Sequence, residues 1–340
     1  MELKNASVGG DSPIVFNSPV VGVPTKSYSA FPAEYHFDVW ALFSASTISG
    51  LNSTSSLYLN GLEFAKVDNS WTNAGAFWPK QNGYLTFHAF YPHGVATHSF
   101  TDDNTGFRVA SFDASVATPA DLIYSDYAAN KQKTNEDTGH SNPSVATGYT
   151  GIDILFHHAL AKVKFQVKLN EVVAGTTYAV TKVEIKNQYK VGSFQAYTTY
   201  ATDSFGTASP SWSVSVNTAS NEMASYVQVS EALSPIPSDT DAHALTGELF
   251  VLPQYLDHSE THFGSGASTN KVTAKITFTE KIGLLDAQTI TAEFALNGLT
   301  EQWSPGKIYT YTILIKHDPI LLDPGVEDWD SLAAVDYDHA

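Results

Sequence analysis

Apolar and polar residues alternate with period 2 through almost every readable stretch of this chain, a pattern that suits strands and not amphipathic helices. Phe37, Val39, Ala41 and Phe43 alternate with Asp38 and Trp40, and Leu85, Phe87, Ala89 and Tyr91 with Thr86 and His88. Further on, Val183 and Ile185 alternate with Lys182, Glu184 and Lys186. Val272, Ala274, Ile276 and Phe278 then face away from Lys271, Thr273, Lys275 and Thr277, followed by the sets Ile290, Ala292, Phe294, Leu296 and Tyr309, Tyr311, Ile313, Ile315. Period 2 places each apolar set on one face of a pleated strand. Windows with apolar residues at i, i+3, i+4 and i+7 are hard to find, while Thr, Val, Tyr and Phe are plentiful. The pattern predicts an all-β fold of half-buried antiparallel strands arranged as sandwiches.

At 340 residues, 43% apolar and 16% charged, the chain is long enough for two cores and too apolar to be disordered. The best divider is the polar, turn-rich stretch between Tyr127 and Tyr149, which contains Lys131-Gln-Lys-Thr-Asn-Glu-Asp-Thr-Gly-His-Ser-Asn-Pro143. It predicts a first sandwich over residues 1–148 and a second over 149–340. A net charge of −17, from 18 basic and 35 acidic side chains, repels phosphate backbones and acidic lipid, which sets nucleic acid aside as a partner. With no cysteine there are no disulfides, no thiol chemistry and no cysteine-ligated metal. No apolar run approaches the about 18 residues of a membrane span, and no signal-peptide core precedes Asn5. An exported form of this protein would have had its targeting segment removed from this chain.

Two adjacent histidines, His157 and His158, sit where the apolar parity switches. Ile152, Ile154 and Phe156 are apolar at even positions, and Val163, Phe165, Val167 and Leu169 at odd ones. A strand changes face at a bulge or where it passes between packing environments. Neighbouring strand side chains diverge, so the pair is poorly placed to grip one metal ion, and the expectation is a packed, hydrogen-bonded junction residue. His88, His93 and His98 recur at fives without a helix to gather them. Asp102-Asp-Asn-Thr-Gly106 lacks the acidic spacing and closing glutamate of an EF-hand. No His-Glu-x-x-His, nucleophile elbow, P-loop or dinucleotide fingerprint is present. No cofactor and no catalytic residue is predicted.

Several segments together carry a resemblance. In order they are Asp38-Val-Trp-Ala41; Phe77-Trp-Pro79; Leu85-Thr-Phe-His-Ala-Phe-Tyr-Pro92; Phe156-His-His-Ala-Leu-Ala-Lys-Val163; Gly247-Glu-Leu-Phe-Val-Leu-Pro-Gln254; Trp303-Ser-Pro-Gly-Lys-Ile-Tyr-Thr-Tyr311; and Val326-Glu-Asp-Trp329. In this order and spacing the chain resembles the fimbrillin (Mfa-like) family of Bacteroidetes pilus subunits, from about Ile14 to Trp329.

The resemblance implies two tandem transthyretin-like sandwiches of Greek-key type and a subunit of a cell-surface fimbria, exported as a lipoprotein precursor to the outer membrane and serving adhesion. Its partners would be other copies of itself or related pilins, with a host ligand or sugar as a further candidate. It also implies that proteolysis removes an N-terminal segment holding the first strand, and that a strand from a neighbour refills the groove. Family members are cut after an arginine, but the only arginine here is Arg108, so the nearest basic candidate for processing is Lys26. The segment of about residues 1–26 would then leave, taking Ile14, Phe16, Val21 and Val23, which are too apolar for a free tail. The tail of about residues 319–340 supplies candidate donor residues in Ile320, Leu322, Val326, Trp329, Leu332, Val335 and Tyr337. The alternative reading is a carbohydrate-binding surface lipoprotein in which Trp71, Trp78 or Trp212 stacks on sugar rings; for Trp71, Phe77 and Trp78 burial at a sandwich end is the favoured expectation.

Overall fold

The computed structural model describes residues 12–17, 19–22, 29–48, 56–68, 70–94, 98–101, 106–114, 121–132, 151–196, 210–214, 223–228, 236–245, 249–263, 270–298, 300–315 and 321–328. Among these, the regular structure is strand apart from a four-residue helix, Glu260–Phe263, and a single 3-10 turn, Leu296–Gly298. The all-β expectation is met, because the period-2 runs found in the sequence are the strands.

The first sheet runs through Pro13–Phe16, Ser70–Phe77, Ser56–Val67, Phe37–Ser44, Tyr84–Tyr91, Ile123–Ser125, Leu155–His158, Val20–Val21 and Ser29–Ala30, in that spatial order. Pro13–Phe16 and Val20–Val21 belong to one short segment, so the sheet curls round and meets itself across residues 13–21. One corner lies at Gly61, where φ is +63° and an added Cβ would stand 3.0 Å from the Trp40 ring. There the register of the long strand Ser56–Val67 against Phe37–Ser44 shifts; the strand stays on that partner as far as Phe64 and pairs with Ser70–Phe77 from Ala65 onward. Phe16, Phe37, Phe64, Phe87 and Phe156 are fully buried inside.

The second body is built on Ala161–Leu169. It pairs antiparallel with Ala242–Ala244 and Leu249–Val251, and parallel with Lys307–Ile315, which in turn carries Leu321–Asp328 at the sheet edge. The facing sheet has the order Met223–Gln228, Thr176–Tyr189, Thr273–Ile282, Gln288–Ala295. Val163, Phe165, Val167 and Leu169 point into the core between them with Trp303 and Tyr311, while Lys162, Lys164 and Lys168 alternate outward.

A fourth sheet, of His98–Thr101, Gly106–Asp113, Val191–Gln195 and Ser211–Ser213, joins the halves. It packs Val109, Phe112 and Phe194 against the outward side chains Trp40, Leu42, Phe90 and Tyr124 of the first sheet, and this cluster reaches Leu160, Leu252 and Ile308. Among the described residues strand pairing therefore crosses the polar segment repeatedly, through Leu155–His158 on Ile123–Ser125 and on Val20–Val21, and through Val191–Gln195 on Gly106–Asp113. Residues 133–150 of that segment lie outside the described residues. The parity switch now has its cause. Ile154 and Phe156 enter the first core, Ala159 and Leu160 the joining cluster, and Ala161 and Val163 the second core.

Candidate functional site

The sheet's closure is made by one segment, residues 12–17 and 19–22, which is hydrogen-bonded along both sides. On one side Pro13, Val15 and Phe16 stand opposite Phe77, Thr72 and Trp71 in antiparallel register, and the Trp78 amide donates to the Ser12 carbonyl at 3.0 Å. On the other side the chain runs parallel to residues 151–156. The Ile152 amide donates to Val15 at 2.9 Å and the Asn17 amide to Ile152 at 3.0 Å; Val20 and Val21 then pair with Leu155 and Phe156. The buried Asn17 side chain secures the crossing, its Nδ2 donating to the Gly151 carbonyl at 3.2 Å and to Asp153 Oδ1 at 2.7 Å. Such a strand supplies backbone partners to two edges that would otherwise be bare.

Its side chains fill the middle of the first core. Ile14 and Phe16 are fully buried and Val21 nearly so. The Phe16 ring meets Phe37, Phe64 and Phe87 edge-on, at centroid distances of 5.8, 5.1 and 5.5 Å, the arrangement that ring quadrupoles favour. Without this segment the sheet has a slot flanked by two unpaired edges and floored by phenylalanines. Burial of three such side chains is worth about 1.5 to 3 kcal/mol each, enough to hold the strand firmly.

Gly151 sets how closely the two chains approach. A Cβ there would lie 2.5 Å from Asn17 Oδ1 and 3.0 Å from the Asn17 backbone nitrogen. The side-chain oxygen can move, but the backbone cannot do so without disturbing the ladder. Gly151→Ala is expected to cost about 1 to 3 kcal/mol by overpacking. Hydrogen exchange should show faster turnover at the Ile152 and Asn17 amides, with the second core unaffected.

The other candidates fall as follows. Val23 and Lys26 lie outside the described residues, as do Ile320, Trp329, Leu332, Val335 and Tyr337. Leu322 and Val326 lie in the edge strand Leu321–Asp328, opposite Ile313 and Tyr309 of their own chain; Val326 is exposed, and Lys307 and Asp328 form an ion pair at the strand's end. Pro324 fits such an edge position, where no ladder donor is needed.

His157 pairs with Asp126 at 3.1 Å and His158 with Asp121 at 2.5 Å, so the two rings serve separate carboxylates. His88 is buried beside Ser125, and His93 is bound to Asp38 at 2.6 Å, a hydrogen bond that raises the imidazole's pKa. The side chain of His98 and residues 102–105 lie outside the described residues.

Trp71 and Trp78 are buried in the first core, with no face left for a ligand. Trp212 is half-buried against Phe112 and Phe194, and its Nε1 donates to the Ala159 carbonyl at 2.7 Å. It borders a cleft of about 370 Å³ with Tyr255, His262, Gln302 and Ser304; the Tyr255 and His262 rings are stacked at 3.9 Å. The role of residues 151–156 as the closing strand's partner was not anticipated, although Ile152, Ile154 and Phe156 repeat the alternation of Ile14 and Phe16.

These features define an all-β sandwich protein whose first sheet is completed by its own N-terminal segment. The model of the fimbrillin-like family matches residues 29–329, and the chain belongs to that family. Among solved structures of similar fold, a fimbrial protein from Bacteroides vulgatus is 16% identical with a TM-score of 0.55, over 93% of this chain and 99% of its own. The fimbrial anchor protein Mfa2 from Porphyromonas gingivalis aligns over 94% of this chain and 98% of its own, at 11% identity and a TM-score of 0.33. No curated protein matches the chain.

Proposed function

We propose that this chain is a structural subunit of a cell-surface fimbria that assembles by strand exchange. Proteolysis near Lys26 removes the closing segment, and the tail of about residues 319–340 of a neighbouring copy takes its place. The observation that carries this reading is the closing strand itself: it precedes the other described strands of its sheet in sequence, is hydrogen-bonded on both sides, and supplies the fully buried Phe16 ring that meets three other phenylalanines. An incoming strand with alternate apolar residues could restore the same bonds and the same packing. The subunit reaches the outer membrane as a lipid-anchored precursor and supports adhesion in the assembled fibre. We place the boundary between its two units at Ala159–Ala161, where the core served by the chain changes, rather than at the polar segment.

The test is to cut the protein after Lys26 and follow its mass by light scattering. Concentration-dependent polymers are expected, and none when residues 319–340 are also deleted. A cut protein that stays monomeric and folded sinks strand exchange; polymers that form equally well without the tail place the donor elsewhere.

One observation favours the second reading, a carbohydrate-binding surface protein. The cleft beside Trp212 combines stacked aromatic rings with neutral polar groups, and among the described residues its lining holds no Asp, Glu, Lys or Arg. Such a lining suits an uncharged polar ring. Calorimetry against a panel of soluble sugars, with Tyr255→Ala as the control, separates the two readings.

A further inference from the structure

Eight large hydrophobic side chains are exposed among the described residues, and five gather at one end of the second body: Val172, Val173, Ile282, Leu284 and Leu285. They sit on two turns that touch, the Gly283 amide donating to the Gly175 carbonyl at 2.7 Å. Leu284 stands fully in solvent and Leu285 is 66% exposed. The turns do not need these residues: Gly175 and Gly283, at φ +79° and +55°, supply the left-handed positions, and polar residues normally flank them. In a chain of net charge −17, an apolar cluster of this kind marks a contact surface.

The strand directions say which contact. Lys307–Ile315 runs toward this end, where the Asn170 amide donates to the Ile315 carbonyl at 2.9 Å, and the last strand begins beside it with Leu321 opposite Leu314. A tail that leaves its own sheet therefore departs from the end that carries the exposed leucines. Any copy that receives the tail is tethered within a few residues of them.

We propose that Val172, Val173, Ile282, Leu284 and Leu285 form the seat of the receiving copy, an apolar contact that reinforces the exchanged strand. The inference rests on the strand-exchange reading and adds a second, independent surface to it. Burying the cluster against the neighbour raises the effective concentration of the tail at its groove and slows its loss. A lipid surface is the less suitable occupant, because beside the cluster Glu171, Glu280 and Asp286 outnumber Lys281 and would repel anionic headgroups.

The experiment compares full-length and Lys26-cut protein, each as wild type and as the Leu284→Ser/Leu285→Ser double variant. The uncut variant should match the uncut wild type in Tm and remain monomeric, since neither leucine packs in the core. After cutting, the variant should need at least about tenfold more protein to polymerise. Equal polymerisation of the two cut proteins overturns the inference and leaves strand exchange standing. Absence of polymers from cut wild type overturns both. Leucine-dependent association of uncut wild type with itself, or with vesicles of phosphatidylcholine and phosphatidylglycerol, overturns the inference in favour of that other occupant.

Discussion

Phe16→Ala in the uncut chain is expected to lower the unfolding free energy of the first body by about 3 to 5 kcal/mol, the largest effect of any single substitution considered. The ring is fully buried and touches three other phenylalanine rings, so its removal leaves a cavity whose rigid walls cannot collapse. Phe16→Leu refills much of that volume and should cost far less. Urea titrations of the uncut proteins measure both, and hydrogen exchange at the Ile152 amide, which donates to Val15, reports whether the strand itself has loosened. A loss below about 1 kcal/mol for Phe16→Ala would mean that the strand is not seated in solution as described. The same experiment bears on assembly, because a strand held by several kcal/mol does not leave unaided.

The second prediction concerns acid. His258 is fully buried, stacked on Tyr189 at 4.5 Å with Phe263 edge-on at 5.0 Å, and neither ring nitrogen has a hydrogen-bond partner among the described residues. Burial disfavours the charged ring and lowers its pKa from 6.5 to about 4. Between those values the unfolded chain binds the proton and the folded chain does not. This contribution to stability is therefore complete above pH 6.5 and is lost as pH falls toward 4. The shift corresponds to about 3 kcal/mol. His258→Phe keeps the stacking and removes the titration. The difference in unfolding free energy between variant and wild type should grow by about 3 kcal/mol from pH 7 to pH 4 in favour of phenylalanine. A difference that stays flat across this range would show that the imidazole is hydrated or paired in solution.

What could be read from the chain alone was whatever depends on spacing. Period 2 required strands, and the apolar positions of Ala161–Leu169 in the sequence are the buried positions in the structure, because a pleated strand offers only two faces. The apolar character of Ile14, Phe16 and Val21 marked a segment that had to be buried somewhere. Conversely, Lys162, Lys164 and Lys168, which alternate with Val163, Phe165 and Val167, could only face outward. What spacing could not supply was partnership. That residues 13–21 close the sheet against 151–156, that Val191–Gln195 pairs back onto Gly106–Asp113, and that two distant turns bring five exposed aliphatic side chains to one end are all long-range pairings. A ladder hydrogen bond joins backbone groups common to nearly every residue, so it leaves no mark in the sequence of either strand; only the packing of side chains in three dimensions selects which edges meet.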